Sequence, residues 1–213
     1  MSPRPYRLGQ RAASVTQTRT RILAATRELL TADGVRGVVM DEVAQRADVA
    51  RATVYYQFGS KQGLLQAIVN DVQQRAGQQQ IARAVELADP VQALRHTFLR
   101  GCQFWATEQV IVRRLSGLAA VDPEIRDVLV RADAHRLVLI TRLVDRLAHA
   151  GQLAPGCSRE RAIDALWLLS SFEAFDQLFT GRRLPAEEVA TLLLDMARYV
   201  LAPPSPDQPT DPP

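Results

Sequence analysis

Two short stretches with helical apolar spacing, residues 40–47 and 50–58, follow each other with only a tight turn between them. Ala44, Ala47 and Val54 recur on the inner sides of these stretches at helical spacing. Their side chains are small enough for the two helices to approach closely. This segment therefore predicts a compact pair of helices, and a fold organised around helix packing.

Helical spacing continues along the rest of the chain, and no strand pattern competes with it. Ser60, Asp89-Pro90, Asp122-Pro123 and Ser158 have the residue types that begin helices, and Gly34 is typical of a helix end. The sequence predicts an all-α fold of about nine helices, at about residues 18–32, 40–47, 50–58, 61–88, 89–105, 110–120, 122–150, 158–179 and 185–202.

The positive charge is concentrated at the start of the chain. Residues 1–62 contain ten Lys and Arg against five Asp and Glu, whereas the whole chain has a net charge of +3. A basic first third favours contact with a polyanion. Chance variation of a few charges would give the same count, so charge alone leaves nucleic-acid binding open.

Several classes of function receive no support from the sequence. Cys102 and Cys157 are the only cysteines, and their spacing favours two buried reduced thiols over a disulfide or a metal site. No secretory signal and no apolar run long enough to span a bilayer are recognised, so a cytoplasmic protein without a membrane partner is expected. No cofactor is expected.

The outer side of the stretch 50–58 presents polar and aromatic side chains suited to nucleic acid. Glutamine can pair bidentately with adenine, arginine can pair with guanine, and an aromatic ring can touch a thymine methyl group. A second helix that places such side chains on base edges in the major groove is the basis of helix-turn-helix recognition. Residues 40–58 meet these demands, and the outward residues are Arg51, Ala52, Thr53, Tyr56 and Gln57.

The run from Arg21 to Leu65 resembles the DNA-binding domain of the TetR family of transcriptional regulators. The most specific part is Thr53-x-Tyr55-x-x-Phe58-x-x-Lys61-x-x-Leu64-Leu65. The resemblance covers about residues 17–77. It implies that Tyr55 and Lys61 hold phosphates, that Thr53 holds a phosphate or touches a base, and that Arg51, Tyr56 and Gln57 face bases.

Three residues depart from the family pattern. Val39 and Ala50 stand where capping hydroxyl residues are usual, and Asp48 stands where glycine is usual in the turn. A lost cap costs on the order of 1 kcal/mol. These departures affect the expected affinity for DNA more than the expected fold.

The resemblance implies two functional domains between two terminal segments. The expected division is a flexible basic arm at 1–16, the DNA-binding domain at 17–77, a ligand-binding and dimerisation domain at 78–202, and a disordered proline-rich tail at 203–213. Such proteins dimerise to recognise two half-sites of a palindromic operator. The apolar faces of the last two helices predict a homodimer interface of Leu166, Leu169, Ser170, Glu173, Leu192, Leu193, Met196 and Val200, unless these faces fill the protomer's own core.

A small effector, hydrophobic or aromatic, is expected to bind the second domain and release the protein from DNA. Aromatic residues at helical spacing are also common in ordinary cores. The residues predicted to line an effector cavity are Phe98, Phe104, Trp105, Arg131, His135, Trp167, Phe172 and Phe175.

The expected function is therefore a ligand-responsive regulator, most simply a repressor. One alternative keeps the DNA-binding domain but gives the second domain only a dimerisation or protein-docking role. The other alternative, an enzyme, lacks any recognisable nucleophile set, phosphate loop or zinc motif.

Overall fold

The structure, a computed structural model, describes residues 4–32 and 37–201. The described residues confirm the all-α fold, and an isolated antiparallel bridge joins Leu153 to Leu201. The helices are α1 (Arg4–Thr31), α2 (Met40–Arg46), α3 (Arg51–Phe58), α4 (Lys61–Arg75), α5 (Gln78–Val85), α6 (Pro90–Ala119), α7 (Pro123–His149), α8 (Arg159–Leu169), α9 (Phe172–Phe179) and α10 (Ala186–Ala197), followed by the 3₁₀ turn Arg198–Val200.

Residues predicted to begin helices cap them as expected. The Ser60 hydroxyl accepts a hydrogen bond from the Gly63 backbone N–H at 3.0 Å, and the Ser158 hydroxyl accepts one from Arg161 at 3.2 Å. The Asp122 carboxylate accepts the Glu124 N–H at 3.0 Å. These bonds satisfy backbone donors that have no partner inside the first turn of a helix.

Several helix boundaries differ from the prediction. Helix α1 begins at Arg4, so residues expected to form a flexible arm are helical from there on. The helix predicted at 61–88 is interrupted at Gly77, whose φ of +76° is left-handed. The predicted cap Gly34 and the predicted disordered tail at 203–213 lie outside the described residues.

The later helices differ as well. The helix predicted at 158–179 is two helices, because the Ser171 side chain accepts the Ala174 N–H and starts α9. Conversely, the two helices predicted at 89–105 and 110–120 are one continuous α6. Its backbone departs from helical geometry at Glu108 (φ −115°, ψ 15°), close to the predicted gap.

The chain divides into two compact units. The first is Met1–Arg75 with Glu108–Ala132, and the second is Ala76–Thr107 with Asp133–Pro213. The predicted domain boundary at 77/78 lies close to the first of these divisions, but the first unit also includes a segment from the middle of the chain.

In the first unit, α1–α4 pack around a buried apolar core. Its fully buried side chains include Ile22, Leu30, Val43, Val54, Leu64, Leu65 and Ile68. Helix α1 contacts α2 and α4, and α3 contacts both α2 and α4. The side chains of α3 that lie outside this core are available for other contacts.

A charged cluster ties three helices of the first unit together. Arg27 on α1 bonds to Asp71 on α4 at 2.9 Å and to Glu108 on α6 at 2.6 Å. The Glu108 side chain is only 4% exposed. A buried carboxylate needs such a partner, since an unpaired buried charge is strongly unfavourable.

The core of the second unit is also apolar. Its buried side chains include Leu94, Phe98, Cys102, Ile140, Leu143, Leu147, Leu166, Phe175, Val189 and Leu193. Helices α8, α9 and α10 contact one another. Across the described residues, no helix combines enough length with enough apolar character to cross a bilayer.

Candidate nucleic-acid interface

Helices α2 and α3 are joined by a tight turn that residues 47–50 form. The Val49 N–H donates to the Ala44 carbonyl at 3.0 Å, and the Asp48 N–H donates to the Gln45 carbonyl at 3.2 Å. Asp48 has a φ of +52°, in the region that favours glycine. The turn places the start of α3 beside the first turn of α2.

The two expected capping positions lack side-chain caps. Val39 and Ala50 are the N-cap residues of α2 and α3, and neither makes a side-chain hydrogen bond to its helix. Each absent cap leaves a backbone N–H to be satisfied by solvent or by a ligand. Val39 and Ala50 thus have ordinary extended backbones but no capping acceptor, whereas Asp48 alone of the three adopts a backbone conformation that favours glycine.

Helix α3 has one buried side and one open side. Val54 is completely buried, whereas Tyr56, two residues further on, is 83% exposed. At 100° per residue, Ala52 and Tyr56 point away from the core, and Tyr55 and Thr53 lie on the flanks. Tyr56 therefore presents an aromatic ring and a hydrogen-bonding hydroxyl to solvent on the open side of α3.

Among the residues predicted to contact DNA, Arg51, Tyr55 and Tyr56 are exposed, and Thr53 and Gln57 are partly exposed. These five lie on one short helix, with Tyr56 on its open side, Tyr55 and Thr53 on its flanks, and Arg51 and Gln57 about 60° to either side of Val54. Lys61 belongs to α4 and has a different environment.

Arg51 connects the two short helices. Its Nη1 donates to the Asp41 carboxylate at 3.0 Å, and its Nη2 donates to the Tyr55 hydroxyl at 3.3 Å. The hydrogen bond to Tyr55, together with the charge of Asp41, raises the pKa of the Arg51 guanidinium. Arg51 therefore remains cationic and is held in a defined direction.

Lys61 lies against two acidic side chains of the first unit. Its ammonium is 2.6 Å from Asp122 and 3.4 Å from Glu124, and its side chain is 26% exposed. Partial burial, the largest single effect, would lower the pKa of Lys61, but the hydrogen bonds and charges of Asp122 and Glu124 together outweigh it and raise that pKa. Burial, again the largest single effect, would raise the pKa of Asp122, but the hydrogen bonds from Lys61 and from the backbone of Ile125 and Glu124, together with the Lys61 charge, lower it. Any phosphate must compete with this ion pair for Lys61.

The sequence analysis missed the contact that fixes the end of α3. Arg19 on α1 donates to the Gln57 carbonyl at 2.8 Å, and its guanidinium lies 4.3 Å from the centre of the Phe58 ring. A cation at a helix C-terminus is favoured by the helix dipole. The sequence carries no local signal for this contact, because 38 residues separate Arg19 from Gln57.

In the second unit, aromatic residues surround a small cavity. Its volume is about 20 Å³, roughly the space of one water molecule. Of the predicted ligand-binding residues, Phe98, Trp105 and Phe175 line it. The Trp105 ring makes edge contacts with Phe104 and Phe172, and its indole N–H donates to the Ser170 carbonyl at 3.2 Å.

The other residues predicted for the ligand lie elsewhere. Arg131 and His135 are exposed to solvent. Trp167 is half-exposed under the Arg136 guanidinium, which lies 5.2 Å from its ring centre. The structure therefore does not bring these three side chains to the cavity.

The residues predicted for a dimer interface also separate into groups. Leu166 and Val200 are buried within their own unit, and Leu169, Ser170 and Leu193 line the cavity. Glu173, Leu192 and Met196 are exposed. Helical spacing places Leu192, Met196 and Tyr199 along one side of the C-terminal helix and its 3₁₀ turn.

Comparison with known proteins connects the first unit to a family. Residues 22–68 match the family model described as bacterial regulatory proteins, tetR family. The HTH-type transcriptional regulator SrpR of Pseudomonas putida is 40% identical over 58 residues, which are 27% of this chain and 27% of SrpR. The aligned segment thus spans about a quarter of that relative.

Solved structures extend the similarity to the whole fold. Native NalD, the secondary repressor of the MexAB-OprM multidrug efflux pump in Pseudomonas aeruginosa, is 27% identical with a TM-score of 0.70, over 88% of this chain and 98% of NalD. The SmeT–triclosan complex, at 19% identity, shares the fold with a TM-score of 0.69, over 92% of this chain and 99% of SmeT.

The family match lies inside the segment on which the sequence resemblance rests, and the resemblance is confirmed. SrpR is described as a transcriptional regulator and NalD as a repressor, and the enzyme alternative receives no support from them. The helix pair with its open α3 face, the family match and the shared fold lead to one conclusion: residues 22–68 form a domain of the tetR family of bacterial regulatory proteins.

Proposed function

We propose that the protein binds double-stranded DNA through α3 and regulates transcription. The observation that carries this proposal is the open side of α3, where Tyr56 is 83% exposed while Val54 on the same helix is fully buried. A short helix that displays polar and aromatic side chains beside a tight turn suits the major groove.

The side chains on α3 divide into two roles. Arg51, Tyr56 and Gln57 face base edges and select the sequence. Thr53 and Tyr55, on the flanks, together with Lys61 hold phosphates and position the helix. Arg19 supports this arrangement because it fixes the C-terminal end of α3.

The proposed DNA-bound form is a homodimer on a palindromic operator. One helix-turn-helix covers only a few base pairs, and two copies one helical turn apart recognise two half-sites. Exposed apolar residues on α8 and at the C-terminal end of the described chain support a second copy as partner. They are Trp167, Leu168, Leu192, Met196 and Tyr199.

The proposed effector is a small apolar or aromatic molecule that binds at the cavity of the second unit. Phe98, Trp105 and Phe175 supply an apolar lining. An effector acts only through a difference in affinity between the DNA-binding and the released states. Repression is the proposed direction of control, in line with NalD, which is described as a repressor.

A second candidate function keeps DNA binding but gives the second unit no effector. The size of the cavity favours this candidate, since about 20 Å³ admits no molecule larger than water without movement of the lining. A thermal-shift screen of apolar compounds separates the two candidates. A true effector raises the melting temperature in a concentration-dependent way, and the absence of any such compound favours the dimerisation or docking role.

DNA binding is tested by fluorescence anisotropy with mixed-sequence duplexes at several salt concentrations. The proposal predicts binding that weakens steeply and log-linearly with salt. Absence of binding to every duplex at low ionic strength, with and without added compounds, would refute it.

A further inference from the structure

Asp41 lies in the first turn of α2 and reaches across to the first residue of α3. Its Oδ2 accepts a hydrogen bond from Arg51 Nη1 at 3.0 Å. On the other side, Arg51 Nη2 donates to the Tyr55 hydroxyl at 3.3 Å, and the guanidinium lies 5.5 Å from the centre of the Tyr55 ring. The guanidinium is thus held between a carboxylate and an aromatic side chain at the open side of α3.

This ion pair contributes little to folding. The side chains of Arg51 and Asp41 are 57% and 62% exposed, and solvent-exposed ion pairs add little to stability. The ion pair instead restricts the Arg51 side chain, which is long and would otherwise sample many rotamers. An arginine that is already oriented loses less conformational freedom when it meets its target.

The two bonds leave the guanidinium able to bind a base. Arginine has five N–H donors, and Asp41 and Tyr55 occupy one each. The remaining donors are enough for a bidentate contact with the O6 and N7 atoms of guanine. The Asp41 charge also opposes phosphates, so it disfavours non-specific contacts of the same surface.

We propose that Asp41 is the positioning residue for Arg51, and that it thereby increases the sequence preference of the protein at the base pair that Arg51 contacts. This inference rests on the proposed DNA-binding function. Asp41 itself contacts no base; it acts through the direction of the Arg51 side chain and through its own repulsion of phosphates.

The experiment uses the full chain and the duplex that wild-type protein selects from random DNA. Arg51→Ala first identifies the base pair at which preference is lost. The dissociation constants for the selected duplex and for a duplex altered at that base pair then give a preference ratio for each variant. The matched control is Glu42→Gln, which removes one negative charge from the neighbouring residue of the same helical turn.

Asp41→Asn is expected to lower the preference ratio about threefold, the order of the cost of ordering one long side chain, and less than the loss of a whole bidentate base contact. Binding to the altered duplex should stay equal or become tighter, because a repulsive charge is gone. Glu42→Gln should keep the wild-type ratio. In the Arg51→Ala background, Asp41→Asn should not weaken binding to the selected duplex, whereas a merely structural role of Asp41 would weaken binding to both duplexes.

Three results would overturn the inference: an unchanged ratio in Asp41→Asn, an equal loss in Glu42→Gln, or weaker binding to both duplexes when Asp41→Asn is added to Arg51→Ala. A higher ratio in Asp41→Asn would also overturn it, since Asp41 would then withhold Arg51 from DNA. If the wild-type protein binds all duplexes equally, base recognition by α3 is refuted before any variant is measured. The inference about Asp41, which depends on base recognition, is then refuted as well.

Discussion

At the scale of single residues, adjacent positions on α3 have opposite environments. Val54 is buried while Tyr55 and Tyr56 meet solvent, so substitutions on the open side leave the core intact. Gln57 is favourable for a test because its backbone carbonyl, and not its side chain, accepts the bond from Arg19. Truncation of the side chain would remove the proposed base contacts without loosening the end of the helix.

Gln57→Ala is expected to relax sequence preference by about fivefold to tenfold at one base pair, because a bidentate adenine contact is lost. Competition binding with duplexes altered at single positions measures this effect. Gln92→Ala, which truncates an exposed glutamine of the second unit, should leave preference unchanged. Uniform weakening on all duplexes would argue against a base contact by Gln57.

The two cysteines differ in reactivity. Burial raises the pKa of the Cys102 thiol to about 12, while Cys157 is partly exposed. The folded state therefore keeps Cys102 protonated, and its contribution to stability is lost as pH rises above the unfolded-state pKa, where the unfolded chain releases that proton.

Near pH 8, we expect a maleimide to label one thiol per folded chain and both thiols after denaturation. Mass spectrometry of the labelled peptides identifies the site. Cys157→Ser should remove nearly all native labelling, and rapid labelling of Cys102 in that variant would show that it is accessible.

At the scale of helices, α3 begins without a side-chain cap. Ala50→Ser is expected to stabilise the start of α3 by about 1 kcal/mol and to raise the melting temperature by about 2–4 °C. Differential scanning calorimetry provides the measurement. Ala52→Ser, inside the first turn, is the matched control and should be neutral or slightly destabilising; equal stabilisation by both would contradict a capping effect.

The start of α4 provides a test of the phosphate contact proposed for Lys61. Lys61→Ala should weaken binding to all duplexes and reduce the salt slope by about one. Asp122→Asn breaks the same ion pair but keeps both the lysine and a good capping residue for α7. If this control weakens DNA binding as much as Lys61→Ala does, the effect of Lys61 is structural.

The helices also show how far the sequence determined the fold. The caps at Ser60 and Ser158 follow from local chemistry and were predicted correctly. The interruptions at Gly77 and Ser171 were missed, since glycine and serine are tolerated inside helices when packing favours continuity, and only the neighbouring contacts decide. The bonds of Arg19 and Lys61 join distant parts of the sequence and leave no periodic signal.

At the scale of the whole molecule, the sequence predicted most about residues 40–58. This one short segment determines both a helix pair and the side chains available for binding. On α3, Arg51, Ala52 and Tyr56 are exposed as predicted, whereas Thr53 and Gln57 are only partly exposed. The apolar side chains of α8–α10 were harder to assign, because a core position and an interface position have the same composition. Leu166 and Leu193 lie in the core, and Met196 does not.

Met196→Glu tests the homodimer proposal. A charge on this exposed apolar side is expected to favour monomers and to weaken binding to a two-half-site duplex more than to a single half-site. Light scattering after gel filtration measures the mass. Val110→Glu, at a similarly exposed apolar residue in the first unit, should not change the mass; a Met196→Glu protein of wild-type mass would count against this face as the interface.

The central claim, that the outer side of α3 contacts bases, is tested most directly by selecting bound fragments from random duplex DNA with the full-length protein. The account predicts enrichment of an inverted repeat whose half-site centres lie one helical turn, about 34–36 Å, apart, and loss of that enrichment in Tyr56→Ala. Selected sequences indistinguishable from the starting pool, at low ionic strength and with wild-type protein, would contradict it.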